Sequence, residues 1–165
     1  MYFSPKQKSE FTALKGKFLS RIGANDEAER AFSHATQLEM NHHEAWTSWG
    51  QFYDKLFREK PTDVVMACRV VDCYIQAAKL LPPSRARKLI SRILWLLSCD
   101  SSDGKISSNL GNYLIKNELV LPQWLPFVPQ MIQALSYPEM DVICNVLLRI
   151  GQTQPQVALF LLSIL

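Results

Sequence analysis

The residues that could do chemistry are few, and their spacing does not favour it. Three histidines, His34, His42 and His43, and four cysteines, Cys68, Cys73, Cys99 and Cys144, are the soft donors of the chain. A zinc site collects thiolates and imidazoles from short paired motifs such as C-x2-C or H-x3-H. Neither spacing occurs here, so the histidines read as surface residues at a helix turn and the thiols as reduced groups buried in a core. No metal and no cofactor is expected. The run Asp100-Ser101-Ser102-Asp103-Gly104 begins like a calcium loop, yet the twelfth position from Asp100 is Gly111, where a bidentate glutamate is required. It reads as a solvated turn. A dinucleotide fingerprint, a P-loop, protein-kinase catalytic signatures and a nucleophile elbow are all missing from the 165 residues. No catalytic residue is expected in this segment.

What remains is binding chemistry. Arg85, Arg87, Lys88 and Arg92 could meet phosphate or an acidic peptide, although such a set is more often the wet side of an amphipathic helix. Arg85, Lys88 and Arg92 are kept as candidate partner contacts on that understanding. Trp46, Trp49, Phe52 and Tyr53 could line a peptide groove, but their positions fit the packing residues of a helical repeat better. The net charge of +3 is small for this length. A protein that lives on nucleic-acid phosphates carries a larger, clustered excess, so no direct nucleic-acid contact is expected.

The repeat is the element that organises these positions. Ala28, Phe32 and Ala35 form the small–large–small face of one helix, and Trp46, Trp49, Gly50 and Tyr53 form the W-x2-L-G-x2-Y face of the next, the order of a tetratricopeptide repeat. Gly16 and Gly50 lie 34 residues apart, the period of that repeat. Val70, Tyr74 and Ala77 echo Ala28, Phe32 and Ala35 at an offset of 42, which implies an eight-residue insertion in the second copy. An all-α solenoid of degenerate tetratricopeptide-like hairpins follows, with about eight helices and no convincing strand.

Along the chain, Phe11, Leu14, Phe18 and Ile22 share one face of a helix over 10–22 that Gly23 stops, and Asn25 caps the next helix. A third helix spans 43–58. Thr62 or Asp63 opens a fourth, and Pro82-Pro83 closes it at Leu81. Ser84 caps a fifth, in which Leu89, Ile93 and Leu96 oppose Arg85, Lys88 and Arg92. A helix over 106–116 is followed by one over 124–135, with Pro126 and Pro129 in or near its first turn. Pro138 starts another, closed by Gly151, and Thr153 caps a last one with Pro155 in its first turn.

With 48% hydrophobic and 20% charged residues the chain reads as one folded unit. No secretory signal and no stretch long enough to span a membrane is seen, and an intracellular location is expected. From Val120 to Leu165 the only charges are Glu139, Asp141 and Arg149, so these helices can present little solvated surface. The chain stops on Leu-Ser-Ile-Leu without a cap, which suggests a fragment truncated at its C-terminus.

Three ordered motifs carry a more specific likeness: R-A-R-K-L-I-S-R-I-L-W-L-L-S-C-D (85–100), P-Q-W-L-P-F-V-P-Q-M (122–131) and R-I-G-Q-T-Q-P-Q-V-A (149–158). Together they resemble the FAT region of phosphatidylinositol-3-kinase-related kinases, and in combination they look most like that family's pseudokinase scaffold. The resemblance gives Trp95, Trp124, Pro129, Gln130, Gly151, Pro155 and Gln156 structural roles. It divides the chain into tetratricopeptide-like hairpins over 1–81 and FAT-type hairpins over 82–165. It further implies a nuclear, non-catalytic scaffold of histone acetyltransferase coactivator complexes. Its partners would be the rest of the solenoid, the kinase-like domain, complex subunits and transcriptional activators. Two other readings stand beside it: a FAT segment of an active kinase such as target-of-rapamycin, and a freestanding tetratricopeptide adaptor that binds a peptide in its groove. The runs 100–104 and 117–121 match no family pattern.

Overall fold

The computed structural model describes residues 2–135 and 141–163. Helix α1 (Pro5–Arg21) starts at a capping box, in which the Ser4 hydroxyl accepts from the Gln7 amide and the Gln7 side chain accepts from Ser4. Then come α2 (Asn25–Leu38), α3 (His43–Glu59), α4 (Val64–Lys79), α5 (Pro83–Leu97), α6 (Lys105–Ile115), α7 (Val128–Ala134), α8 (Asp141–Thr153) and α9 (Pro155–Leu162). Two 3-10 turns, Leu121–Gln123 and Leu125–Phe127, lead into α7. No strand occurs among the described residues.

The helices stack as hairpins: α1 packs on α2, α3 on α4, and each pair lies against the next, as in a helical solenoid. Gly16 and Gly50 make the stacking possible. A Cβ at Gly16 would sit 2.9 Å from the Phe32 ring, and one at Gly50 would run into the ring of Tyr74. These two contacts are the same contact one repeat apart. The glycine-to-ring separation grows from 16 to 24 residues between them, because Gly50 lies further from the end of α3, and Tyr74 further into α4, than Gly16 and Phe32 do in α1 and α2. Ala28, Phe32 and Ala35 are wholly buried, as are Val70 and Ala77, with Tyr74 nearly so. One apolar cluster runs continuously from Leu19 to Ile150, with a small satellite of Ala13, Ala35 and Ala45 between α1, α2 and α3.

Several local expectations change. The buried face of α1 is Ser9, Ala13, Gly16, Leu19 and Ser20, whereas Phe11, Leu14, Phe18 and Ile22 are each more than 60% exposed. Small side chains are what allow α1 to lie close against α2, so the large ones are left outside. Asn25 is the first residue of α2 rather than its cap, and Ala24 holds that position. Likewise Pro82 precedes α5, with Pro83 at its first position and Ser84 inside it; fixed proline φ suits that position. The stretch 124–135 is helical only from Val128, because Pro126 and Pro129 break the preceding backbone into 3-10 turns. Helix α8 runs through Gly151 to Thr153, whose hydroxyl donates to Arg149 and Ile150 carbonyls within α8 instead of capping α9. The helix start at Pro138 and the chain end at 164–165 lie outside the described residues.

The polar loop 100–104 has a defined job. Gly104 adopts φ +59°, and the Asp100 carboxylate reaches across it to accept the amides of Ser101, Ile106 and Ser107 at 2.9, 3.1 and 2.8 Å. It supplies the acceptors that the first turn of α6 lacks.

Candidate functional site, a charged groove along α1, α3 and α5

The side of the solenoid formed by α1, α3 and α5 carries a groove of about 640 Å³. Its floor is set by α3, whose Thr47, Ser48, Gln51 and Asp54 face into it. Lys17 enters from α1, and Arg85, Lys88 and Arg92 from α5. Five cations, counting Arg58, stand against Glu44 and Asp54, so the lining is net positive.

Asp54 is the centre of this charge. Only 4% exposed, it accepts Nε and Nη2 of Arg92 on Oδ1 at 3.1 and 2.8 Å, and Nη2 of Arg58 on Oδ2 at 2.9 Å. Both carboxylate oxygens are thereby satisfied, which a buried acid requires. Arg92 also stacks its guanidinium 3.9 Å over the Trp95 ring, the favourable cation–π arrangement, and Phe57 meets Trp95 edge-on. Arg92 is therefore withdrawn into the structure, while Arg85 and Lys88 remain exposed. The sequence missed Asp54. Its only signal is an acid set within the aromatic face of α3, and its partner lies 38 residues away.

The α3 aromatics are divided. Tyr53 is buried and Gly50 is enclosed, but Trp46 and Trp49 are half-buried and stacked on one another. Trp46 donates its indole N–H to the Met40 carbonyl. Tyr53 donates to Glu29 at 2.8 Å, and Glu29 pairs with Arg69 at 2.6 Å. Burial first, and then the Glu29 hydrogen bond, push the Tyr53 phenol well above its ordinary range. Trp124 is buried; Pro129, Gln130, Pro155 and Gln156 are exposed, and Gly151 is half-buried inside α8.

The soft donors disperse. Cys73 is buried and Cys68 half-buried, whereas Cys99 and Cys144 are exposed, unlike the buried thiols expected from sequence. Burial, with Asp72 and Asp100 nearby, pushes the Cys68 thiol up to about 11. His42 is buried rather than on the surface. It stands beside Glu44, whose carboxyl is held below the usual range chiefly by their mutual hydrogen bond.

The family model of the FAT domain matches residues 1–95. The chain is 38% identical over 156 residues to the "SAGA complex/NuA4 acetyltransferase complex subunit TRA1" of Saccharomyces cerevisiae, covering 94% of this chain and 4% of that protein. It is 38% identical over 162 residues to the subunit Tra1 of the same two complexes in Schizosaccharomyces pombe, covering 98% and 4%. It is 31% identical over 159 residues to the human "Transformation/transcription domain-associated protein", covering 96% and 4%. The chain thus spans about 4% of the length of these relatives.

Proposed function

The chain belongs to the FAT domain family, and from that premise we propose that it is a non-catalytic scaffold segment of a nuclear transcription-coactivator pseudokinase. In this reading it helps assemble histone acetyltransferase complexes and receive activators. The relatives' names as acetyltransferase-complex subunits support it. The observation that carries it is the row Phe11, Leu14, Phe18 and Ile22, spaced along one face of α1 and exposed. A repeat helix buries its apolar face against a neighbour, and a contiguous apolar face in water marks an interaction surface. At the other end Leu148, Leu159 and Phe160 are also exposed. A segment with apolar faces at both ends suits an interior position in a longer solenoid, whose hairpins over 1–81 and 82–165 act as one brace. Gly16, Ala28, Phe32, Ala35, Gly50, Tyr53 and Trp124 then serve stacking, and Arg85 and Lys88 meet a protein partner from the groove.

The groove lends some weight to a peptide-binding adaptor, since its lining is polar and charged. Purification of the whole parent protein separates the readings. The scaffold reading expects acetyltransferase-complex subunits to co-purify, with no phosphoryl transfer to peptide substrates. Kinase activity in the purified parent would instead support the active-kinase reading. A parent that holds a peptide but no such subunits would support the adaptor.

A further inference from the structure

Glu10 of α1, His42 of the loop before α3 and Glu44 of α3 bring three metal-ligating atoms within 4.8 Å of one another. The cluster lies outside the Asp54 network, and the way Ser9 orients the buried His42 ring singles it out. The Ser9 hydroxyl contacts the Ala35 carbonyl at 2.8 Å and His42 Nδ1 at 2.7 Å. A carbonyl oxygen only accepts, so the single hydroxyl hydrogen goes to Ala35. Ser9 Oγ must then accept from His42 Nδ1, which places a hydrogen on Nδ1 and leaves Nε2 as the nitrogen that meets the glutamates. Nε2 then either carries a second proton, donated to Glu44, or offers a lone pair to a metal. That nitrogen belongs to a side chain only 3% exposed and points at Glu44 Oε2, 3.2 Å away. A metal ion that takes the place of that second proton meets Nε2 and the carboxylates of Glu10 and Glu44 at one point.

We propose that a divalent zinc ion fills this position, held by His42 Nε2 and the carboxylates of Glu10 and Glu44. Orientation of the ligating histidine by a hydrogen bond at its other nitrogen is the usual outer-shell arrangement of metal sites, and Ser9 with Ala35 provides it here. One imidazole and two carboxylates balance the ion's two charges. The imidazole favours zinc over magnesium and calcium, which prefer all-oxygen shells. Bonds of about 2.0–2.2 Å require ligand atoms about 3.3–3.6 Å apart in a tetrahedron, with water as the fourth ligand. The carboxylates close that gap by rotation about their side chains, and Glu44 is exposed enough to do so. The ion would tie α1 to the start of α3 across the first repeat. Sequence spacing hides the site because Glu10 and His42 are 32 positions apart.

The test is calorimetric titration of ZnCl2 into the tag-free chain after chelator treatment, for wild type, Glu10→Gln, Glu44→Gln and Ser9→Ala, with MgCl2 and CaCl2 as controls. The two glutamate variants are isosteric, and Glu44→Gln can donate an amide hydrogen to Nε2, so the fold is kept without metal. One zinc per chain is expected, with affinity at least about tenfold weaker in each glutamate variant and about 10–100-fold weaker in Ser9→Ala. Zinc should raise the thermal midpoint of the wild type more than that of either glutamate variant. Absence of stoichiometric zinc binding would overturn the site. So would equal binding by wild type and both glutamate variants, which would assign the zinc to other histidines or thiols.

Discussion

The ring of Tyr74 occupies the space that a Cβ at Gly50 would need, and Phe32 stands in the same relation to Gly16 one repeat earlier. Alanine is about 1 kcal/mol better than glycine in a helix interior on propensity alone. Overpacking a filled interface costs about 1–3 kcal/mol. Gly50→Ala should therefore lower stability by about 1–2 kcal/mol despite the propensity gain. Combining it with Tyr74→Leu should recover at least about 0.5 kcal/mol relative to the sum of the single changes. Chemical denaturation of the four proteins measures this. A stabilised Gly50→Ala variant would mean that the ring has room to move.

Asp54 and its two arginines give a second, internally controlled comparison. Asp54→Asn leaves Arg92 beside a neutral group at a nearly buried position, and a loss of about 2–3 kcal/mol is expected, below the full cost of breaking a buried pair because Arg92 is 22% exposed. Arg58 is 69% exposed, so Arg58→Gln should cost less than about 1 kcal/mol. Equal effects in thermal or denaturant melts would show that the groove charge is not organised around Asp54–Arg92.

The Asp100 carboxylate serves two backbone amides at the start of α6, Ile106 and Ser107, and that of Ser101 in the loop before it. Asp100→Ala should destabilise the chain by about 1–2 kcal/mol. Hydrogen exchange should speed up first at Ile106 and Ser107. Unchanged exchange at these two amides would remove the capping role.

Thiol reactivity should sort by environment. With its thiol pushed up to about 11, Cys68 holds little thiolate at pH 8, and Cys73 is buried with its thiol pushed higher still. The thiolate is the reacting form. Alkylation at pH 8 followed by mass spectrometry should label the exposed Cys99 and Cys144 well ahead of Cys68 and Cys73. Fast labelling of Cys68 would place it in a more solvated setting than the structure gives.

Acid should loosen the contact between α4 and the 116–119 turn. Glu118 is held below the ordinary carboxylate range, first by its hydrogen bond to Lys79 at 2.7 Å. A carboxyl lowered in the folded state contributes stability that is present above its unfolded value, near 4.5, and lost as pH falls below it. Glu118→Gln should therefore flatten the acid limb of the stability profile below about pH 4.5 and change little near neutrality. An identical acid limb in the variant would discount the pair.

Periodicity made the repeat readable. Gly16 and Gly50 at the repeat spacing, with Phe32 and Tyr74 offset by eight more residues, marked the packing faces and the longer second copy, while the ring-to-glycine contacts came only with the structure. The same reasoning misplaced α1, because a rule that puts large apolar residues inside assumes that the partner is present. Phe11 and Phe18 face outward, and the packed face is the small side of the helix. Boundary errors at Asn25, Ser84 and Gly151 came from single-residue signals that neighbouring prolines or continued hydrogen bonding overrode. Contacts such as Asp54 with Arg92 between helices, or the approach of Glu10 in α1 to His42 before α3, join positions far apart in the chain. No local spacing announces them.

In the scaffold reading the outward row on α1 is covered by another helix. Sedimentation velocity of the 165 residues alone, at micromolar concentration and beside the Phe11→Lys/Phe18→Lys variant, tests it most directly. Concentration-dependent self-association of the wild type, abolished in the variant without loss of helical content, is the result this account predicts. A monodisperse wild-type monomer that sediments identically to the variant would contradict it.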